Sequence, residues 1–485
     1  MATVRPFRAL RYDPSRVGGL SAVLAPPYDV IDAQEQDQLY ARSPHNVVRL
    51  ILGKQSAADT PTDSRYTRSA RDFAAWQGQG ILRRDPTPAL YLIDHRFQSD
   101  GESRSRLGFL ALLEFTEPIE RAVLRHEKTL DAPKEDRTKL LDAVPASLEP
   151  IFLVYPDEGG AIQALLRSCS AAAPDAAGSL GGEEIRLWAV TDPAVIQRVT
   201  AALERSAVLI ADGHHRFEVA YSRRSRHGAL MAYFASMEEP SLIVRPIHRV
   251  VSSWRRLEVE ALGSLCVAEP VLDLAALTRW LDGERAPGRF GWSDGRVFYR
   301  LTVPSDRLER WLQTSPVPKP VARLDVSLLH DLLLPGLGFN SATIRYAADA
   351  RKVIGELDGG PSTRPNDGGT RPSTSLGIPP APANRVAEGG PGSEQRESKD
   401  SGFRGSTRFA RSPQSRARQS RVEERPTPPN RVVGLHESVW LLRGIPLADV
   451  YDVAAQGLTL PPKSTYFYPK VPSGLAINPL VPPLA

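Results

Sequence analysis

Short apolar blocks bounded by polar turns recur along most of this chain, and their period alternates between that of strands and that of helices. "NVVRLIL" (46–52) is a brief apolar run rich in β-branched residues and predicts a strand. "RYTRSARDFAAWQGQGIL" (65–82) repeats its apolar residues at helical spacing and ends in glycine, which predicts a helix with a stop. "PALYLIDHRF" (88–97) and "RLGFLALLEF" (106–115) predict two strands of a hairpin around the polar turn "QSDGESR". "PIFLVYPD", "IRLWAVTD", "AVLIAD" and "SLIVRPIHRVV" (241–251) predict further strands, with "PAVIQRVTAALERS" and "LAALTRWLD" as helices. The pattern is that of a mixed α/β (α+β) chain, with mixed or antiparallel sheets and packed helices.

That pattern stops at residues 355–432. The stretch is dominated by Gly, Pro, Ser and Arg, has no apolar period, and cannot bury enough surface to offset its ordering entropy. It is expected to be a disordered insertion in a surface loop, with residues 1–354 and 433–485 together forming the folded body. The segment also changes how the charge is read. The chain carries a net +5, but residues 359–432 alone hold 13 Lys and Arg against 7 Asp and Glu, so the body is close to neutral. Nucleic-acid binding by the body is therefore not expected. No run of 18 apolar residues predicts a membrane span. The N-terminal stretch lacks an apolar signal core, and Cys169 and Cys266 lack metal-ligand spacing, so a cytoplasmic location without membrane attachment is expected.

Four stretches are dense in chemistry. "VLIADGHHRFEVAY" (208–221) predicts a strand that ends at Asp212 and Gly213 and opens a helix at His214, His215 and Arg216. Free helix amides, a glycine and an arginine fork suit a phosphate. The alternative is an N-capping aspartate with polar turn residues. Adjacent histidines in a strand would point to opposite sides. In "RHEKTLDAPKEDRTKLL" (125–141), Glu127 is a candidate general base with His126 as its partner, and the alternative is a solvated helix face. "APPYDVID" (25–32) places Tyr28 and Asp29 on a stiff loop, where they could contact a substrate or simply shape a turn, and its Pro26–Pro27 bond could be cis. "LPPKSTYFYPKVPSG" (460–474) groups Lys463, Ser464, Thr465 and Lys470 with three aromatics, a set suited to phosphate or carboxylate, without the glycines of a P-loop.

Together "RPFRALRYDP", "LAPPYDVID", "HNVVRLILG", "HEKTLDAPKEDR", "IADGHHRFEVA" and "PPKSTYFYPKVPSGL" resemble the bacterial family called domain of unknown function 1015. The insertion falls between "IRYAADARKVI" and "VVGLHESVWLLRGIPLADV", which read as one family region interrupted. Locally, the strand, "DGHHR" and helix are similar to the ligand-binding motif of the ParB and sulfiredoxin-like superfamily, whose members bind nucleotides. Some hydrolyse CTP and one branch phosphorylates free serine. That resemblance implies a phosphate cradle at Gly213, His214, His215 and Arg216, with the catalytic acid or base, Glu127, supplied from elsewhere. The expected function is a phosphotransferase or phosphoester enzyme acting on a small hydroxy amino acid such as serine, with ATP, ADP or CTP and Mg²⁺. Two alternatives stand beside it. One is a metal-dependent hydrolase with His126, Asp212 and His214 or His215 as ligands. The other is a non-catalytic, ParB-like nucleotide-binding module.

Overall fold

A computed structural model describes residues 1–129, 131–339, 343–358 and 436–480. Two large sheets organise it. The first has nine strands. Its path runs Val123–Leu124, Val208–Asp212, Ile151–Tyr155, Ala229–Ser236, Glu102–Glu114, Leu90–Ser99, Glu183–Val190 and Ala176–Leu180, and Val4–Arg5 also pairs with Glu102–Glu114. It is mixed: Val208–Asp212 lies parallel to Val123–Leu124, Ala229–Ser236 lies parallel to Ile151–Tyr155, and the other pairings are antiparallel. The second sheet is antiparallel, in the order Val267–Val271, Phe298–Thr302, Arg289–Ser293, His436–Leu441, His248–Ser253 and Thr343–Ala347.

The helix Arg65–Gly78 forms as its period predicts. Ser64 and Thr67 close a reciprocal cap at its start, Phe73 and Trp76 bury one face, and Gly80 follows at φ +69°. The hairpin Leu90–Ser99/Glu102–Glu114 is also as expected, but its turn is shorter. Asp100 and Gly101 alone take positive φ, and the flanking polar residues continue the strands, as two-residue turns of this hand allow.

Two expected strands differ. Residues 46–52 form a helical turn, Val48–Ile51, because Asn46 fixes the local backbone. Its amide donates to the Ala22 and Leu24 carbonyls, and its oxygen accepts the Val48 N–H. Val47, Val48, Leu50 and Ile51 are all buried, and an apolar run buried all round has no period to separate strand from helix. Residues 241–251 split into Ile243–Arg245 and His248–Ser253, which join different sheets. Pro246 sits between them and has no N–H to continue a ladder. Pro26–Pro27 is trans, and among the described residues the cis bonds lie at Glu117–Pro118 and Tyr468–Pro469. The first residues of the expected insertion, 355–358, are helical within Ala350–Asp358, since Val353, Ile354 and Leu357 pack one face against the second sheet. Residues 359–432 lie outside the described residues. No helix among the described residues is long and apolar enough to cross a membrane.

The site is positioned by the C-terminal segment. From Leu460 to Pro479 it runs back over the nine-stranded sheet and ties into earlier parts of the chain. Leu460 bridges Glu127, Tyr466–Tyr468 pairs with Ile243–Arg245, Ser473 bridges Ala25, Ile477 bridges Leu10, and Asn478–Pro479 pairs with Ala146–Ser147. Four motifs far apart in sequence thereby reach one place.

Candidate functional site

The strand Val208–Asp212 ends in Gly213 at φ +93°, and the helix His214–Ser222 starts at once. Glycine is required there twice over. The backbone is left-handed, and a Cβ would lie 2.9 Å from Ile151 Cγ2 and 3.2 Å from the Arg216 guanidinium. Gly213 is itself the N-cap and has no side chain to offer, and the helix's own ladder begins with Phe217 N–H donating to its carbonyl at 2.9 Å. The amides of His214, His215 and Arg216 therefore stand outside that ladder at the positive end of the helix. The N-capping role open to Asp212 is not taken. Both histidines belong to the first helical turn rather than to the strand, so they do not alternate across a sheet.

Asp212 instead binds two cations. Oδ1 accepts from Lys470 Nζ, and Oδ2 accepts from Arg216 Nη2 at 2.7 Å. Burial alone would raise this carboxyl, but Lys470 and Arg216 outweigh it and hold it at about 2. Arg216 also donates from Nη1 to the Pro150 carbonyl, so its fork faces inward in this structure. Lys470 lies 5.1 Å from the Tyr466 ring centroid. Burial lowers its pKa, but Asp212 and Asp29 raise it by more.

Beside this triad, His126 and His214 meet edge to face, 4.7 Å between centroids. His126 Nε2 pairs with Thr465 Oγ1 at 2.9 Å, and His214 Nδ1 lies 4.0 Å from Glu127 Oε2. Burial pushes both imidazoles down to about 3, so both are neutral near pH 7. His215 is half-buried, and its pKa is lowered by burial and by Lys463. Glu127 Oε1 accepts the Lys463 N–H at 3.3 Å. Lys463 is in the left-handed region at φ +55° with its side chain exposed, while Ser464 is buried and donates to the Pro461 carbonyl. Tyr28 lies beneath Arg137, 3.8 Å from guanidinium carbon to ring centroid, and Asp29 next to it is exposed.

Three further contributors hold the stretches together, and of these Glu149 carries no motif signal. Glu149 is buried and joins three of the four stretches. It accepts the Tyr28 N–H at 3.0 Å and the Ser473 hydroxyl at 3.2 Å, and it lies 3.5 Å from Arg137 Nη1. Arg137 in turn donates to the Ile51 carbonyl at 2.9 Å. Phe467 fills the space between His126 and Phe152. The one available clue to Glu149 was a single acid in an apolar context, "SLEPIFLVY".

Among the described residues, no three His, Cys, Asp or Glu side chains converge as a metal site. His126, Asp212 and His214 are near one another, but both Asp212 oxygens are taken by cations, so the ligand set of a metal-dependent hydrolase is not assembled. A cleft of about 1710 Å³ between the two sheets, lined by Arg245, Arg249, Asp282 and Arg443 among others, reaches this cluster only at Ser464. The chemistry lies at its margin rather than inside it.

The chain belongs to the family described as "Protein of unknown function (DUF1015)", which it matches over residues 4–327. The "PPKST" stretch lies beyond that range. No curated protein matches the chain. Among solved structures it is similar to a conserved hypothetical protein from Pyrococcus furiosus, with 10% identity, 76% of this chain and 95% of that one covered, and a TM-score of 0.31. It is also similar to a free serine kinase in complex with AMP, with 10% identity, 74% and 86% covered, and a TM-score of 0.30. A third similarity is to SbnI with C-terminal truncation from Staphylococcus aureus, with 10% identity, 76% and 87% covered, and a TM-score of 0.32. At TM-scores of this size, chemistry has to be read from this chain's own side chains.

Proposed function

We propose that this member of the DUF1015 family is a nucleotide-binding phosphotransferase acting on a small hydroxy amino acid such as serine. One observation carries the reading: at the start of the helix His214–Ser222, two lysines, Lys463 and Lys470, meet a carboxylate, Glu127, that is held by a backbone amide rather than by a cation. Helix amides and ammonium groups suit phosphate oxygens, and an accessible carboxylate beside them suits a hydroxyl proton.

In this reading Lys463, Lys470 and the amides hold the terminal phosphates, with Ser464 and Thr465 shaping the loop. Asp212 and Arg216 fix the Lys470 ammonium instead of touching phosphate directly. Glu127 accepts the proton of the acceptor hydroxyl as the hydroxyl oxygen bonds to the terminal phosphorus and the bond to the leaving nucleotide oxygen breaks. The products are a shorter nucleotide and a phosphorylated amino acid. His126 and His214, being neutral, orient Thr465 and Glu127 and keep water out, and the charge developing on phosphate falls to the lysines. His215 lines the entrance. Tyr28 orders the loop through Arg137 and Glu149, and exposed Asp29 suits the ammonium of an amino acid. Among the described residues no group of three His, Cys, Asp or Glu side chains stands ready for the Mg²⁺ expected with a nucleotide.

Calorimetry with ATP, ADP and CTP, followed by ³¹P NMR of each nucleotide with serine and Mg²⁺, tests the proposal. Binding together with phosphoserine formation is expected. Binding without transfer to any hydroxy amino acid would leave the non-catalytic nucleotide-binding module. No nucleotide binding at all would remove both readings.

A further inference from the structure

We propose that Arg106 is a positioning residue that holds Lys470 on Asp212 through the carbonyl of Pro469. For its ligand this rests on the reading above, and for its geometry it does not.

Arg106 lies in the strand Glu102–Glu114, at the centre of the nine-stranded sheet, and is 0% exposed. Its guanidinium is packed between two rings, 4.8 Å from the centroid of Phe152 and 5.3 Å from that of Tyr233. Nη1 donates to the Pro469 carbonyl at 2.8 Å, while Nε and Nη2 find no acceptor. Among the described residues no carboxylate pairs with it. A buried cation held by one neutral hydrogen bond is unfavourable, and an apolar side chain of similar volume would fill the space at lower cost. Packing therefore does not account for an arginine here. What it provides is one strong donor to one carbonyl.

That carbonyl belongs to the residue before Lys470. Proline has no N–H, so the carbonyl is the only hydrogen-bonding handle the backbone offers at position 469. The preceding residues are fixed independently. Phe467 is fully buried, Tyr468 donates its hydroxyl to Glu183 at 3.1 Å and stacks under Arg245 at 3.6 Å, and Tyr466–Tyr468 pairs with Ile243–Arg245. The segment is thus anchored up to Tyr468. Arg106 supplies the next anchor, on the step that turns the chain so that Lys470 reaches Asp212. The Lys470 side chain is 13% exposed, so it has little room to find its partner by a looser route.

The test uses the full chain and four variants: Arg106→Met, Arg106→Lys, Lys470→Met, and the Arg106→Met/Lys470→Met double. First, acetylation of Lys470 is followed by mass spectrometry without ligand. Protection is expected in the wild type, several-fold faster labelling in Arg106→Met, and intermediate labelling in Arg106→Lys, which keeps charge and a donor but not the fork. Second, calorimetry measures ADP affinity. Arg106→Met is expected to weaken it about tenfold, and the double variant to be no weaker than Lys470→Met alone, because the two act as one unit. Lys470 equally protected in folded Arg106→Met, or losses that add in full, would overturn the proposal. If the wild type does not bind ADP, the reading of function fails and the labelling still decides the role of Arg106. If Arg106→Met does not fold, Arg106→Gln, which drops the charge and falls short of the carbonyl, replaces it in both measurements.

Discussion

The two sheets bury similar groups and use them differently. The nine-stranded half buries His126, His214 and Arg106, and the six-stranded half buries His248 and Arg249 and half-buries His330. In both halves burial holds the imidazoles neutral, at about 3 for His126, His214 and His330 and about 4 for His248. The difference lies in the partners. Arg249 donates to His330 Nε2 at 2.9 Å and to the Ile247 carbonyl, while His248 accepts the Leu442 N–H. Among the described residues these bonds lie almost wholly within their own half and do not converge on the start of a helix. Around Asp212, groups from residues 28–29, 126–127, 212–216 and 463–470 meet a helix end. Buried titratable groups alone therefore do not mark a site, and neither does the volume of the inter-sheet cleft. Convergence of compensated charge on the start of a helix does.

The largest effect expected from that contrast is on catalysis. Glu127→Gln should slow phosphoryl transfer by roughly 10²–10⁴-fold while ADP affinity holds, and Asp282→Asn in the cleft wall should leave the rate unchanged. Phosphoserine formation followed by ³¹P NMR checks both. An unchanged rate in Glu127→Gln would remove it as the base, and a large loss in Asp282→Asn would move the chemistry into the cleft.

Next comes stability at Asp212. Asp212→Ala leaves Lys470 and Arg216 buried without their shared carboxylate and should cost about 3–5 kcal/mol in urea unfolding. The pH dependence has the same origin. The folded carboxyl is held at about 2, below the unfolded value near ~3.9. Its contribution is therefore fully present above the unfolded value and is lost as pH falls through the folded one. Wild type should lose stability across that window and Asp212→Ala should not lose this part, which comparing their urea midpoints from pH 5 downward would show.

A smaller effect separates the halves directly. The buried histidines have folded values below the unfolded ~6.5, so the unfolded chain takes up protons first. Stability is then level above that pH and falls as pH drops toward 4. His214→Gln and His330→Gln should each flatten that slope by up to one proton. Only His214→Gln should alter ADP affinity, since only His214 lies in the first turn of the helix His214–Ser222, where the phosphate is proposed to sit. Equal effects on affinity would mean that the halves do not divide the work in this way.

The sequence disclosed the parts of the site that are locally dense. "DGHHR", "HEK" and "PPKST" stand out because ionisable groups crowd a few residues, and the strand-to-helix step at Gly213 follows from glycine and the change of period. Glu149 and Arg106 were not legible. Glu149 is one charged residue in an apolar run and Arg106 the last residue of the polar stretch "GESRSR", and the role of each arises only from packing against residues as distant as Pro469, 363 positions from Arg106. The charge state of His126 and His214 was hidden for the same reason, since burial sets it and composition does not. In the fold, the hairpin Leu90–Ser99/Glu102–Glu114 was visible from alternation. Residues 46–52 depart from the expected strand because a short run buried on every side carries no period, and 241–251 because the break at Pro246 also divides two sheets.

The smallest expected effect tests how separate the halves are. Arg300 and Glu269 form a two-pronged pair at 2.9 Å across neighbouring strands of the six-stranded sheet, both substantially exposed. Exposed pairs lose most of their Coulomb attraction to solvent and also carry the entropy of two ordered side chains, so Arg300→Ala should cost less than about 1 kcal/mol. It should leave ADP affinity unchanged, because no hydrogen bond or ion pair leads from this pair to Lys463, Lys470 or Glu127 among the described residues. Arg249 is the contrasting case, since its Nη2 reaches the Pro462 carbonyl at 3.4 Å, next to Lys463. If Arg300→Ala weakened ADP binding, the six-stranded half would be transmitting strain into the site as a body. If only a change at Arg249 did so, the coupling would run through that one contact and the division between the halves would stand.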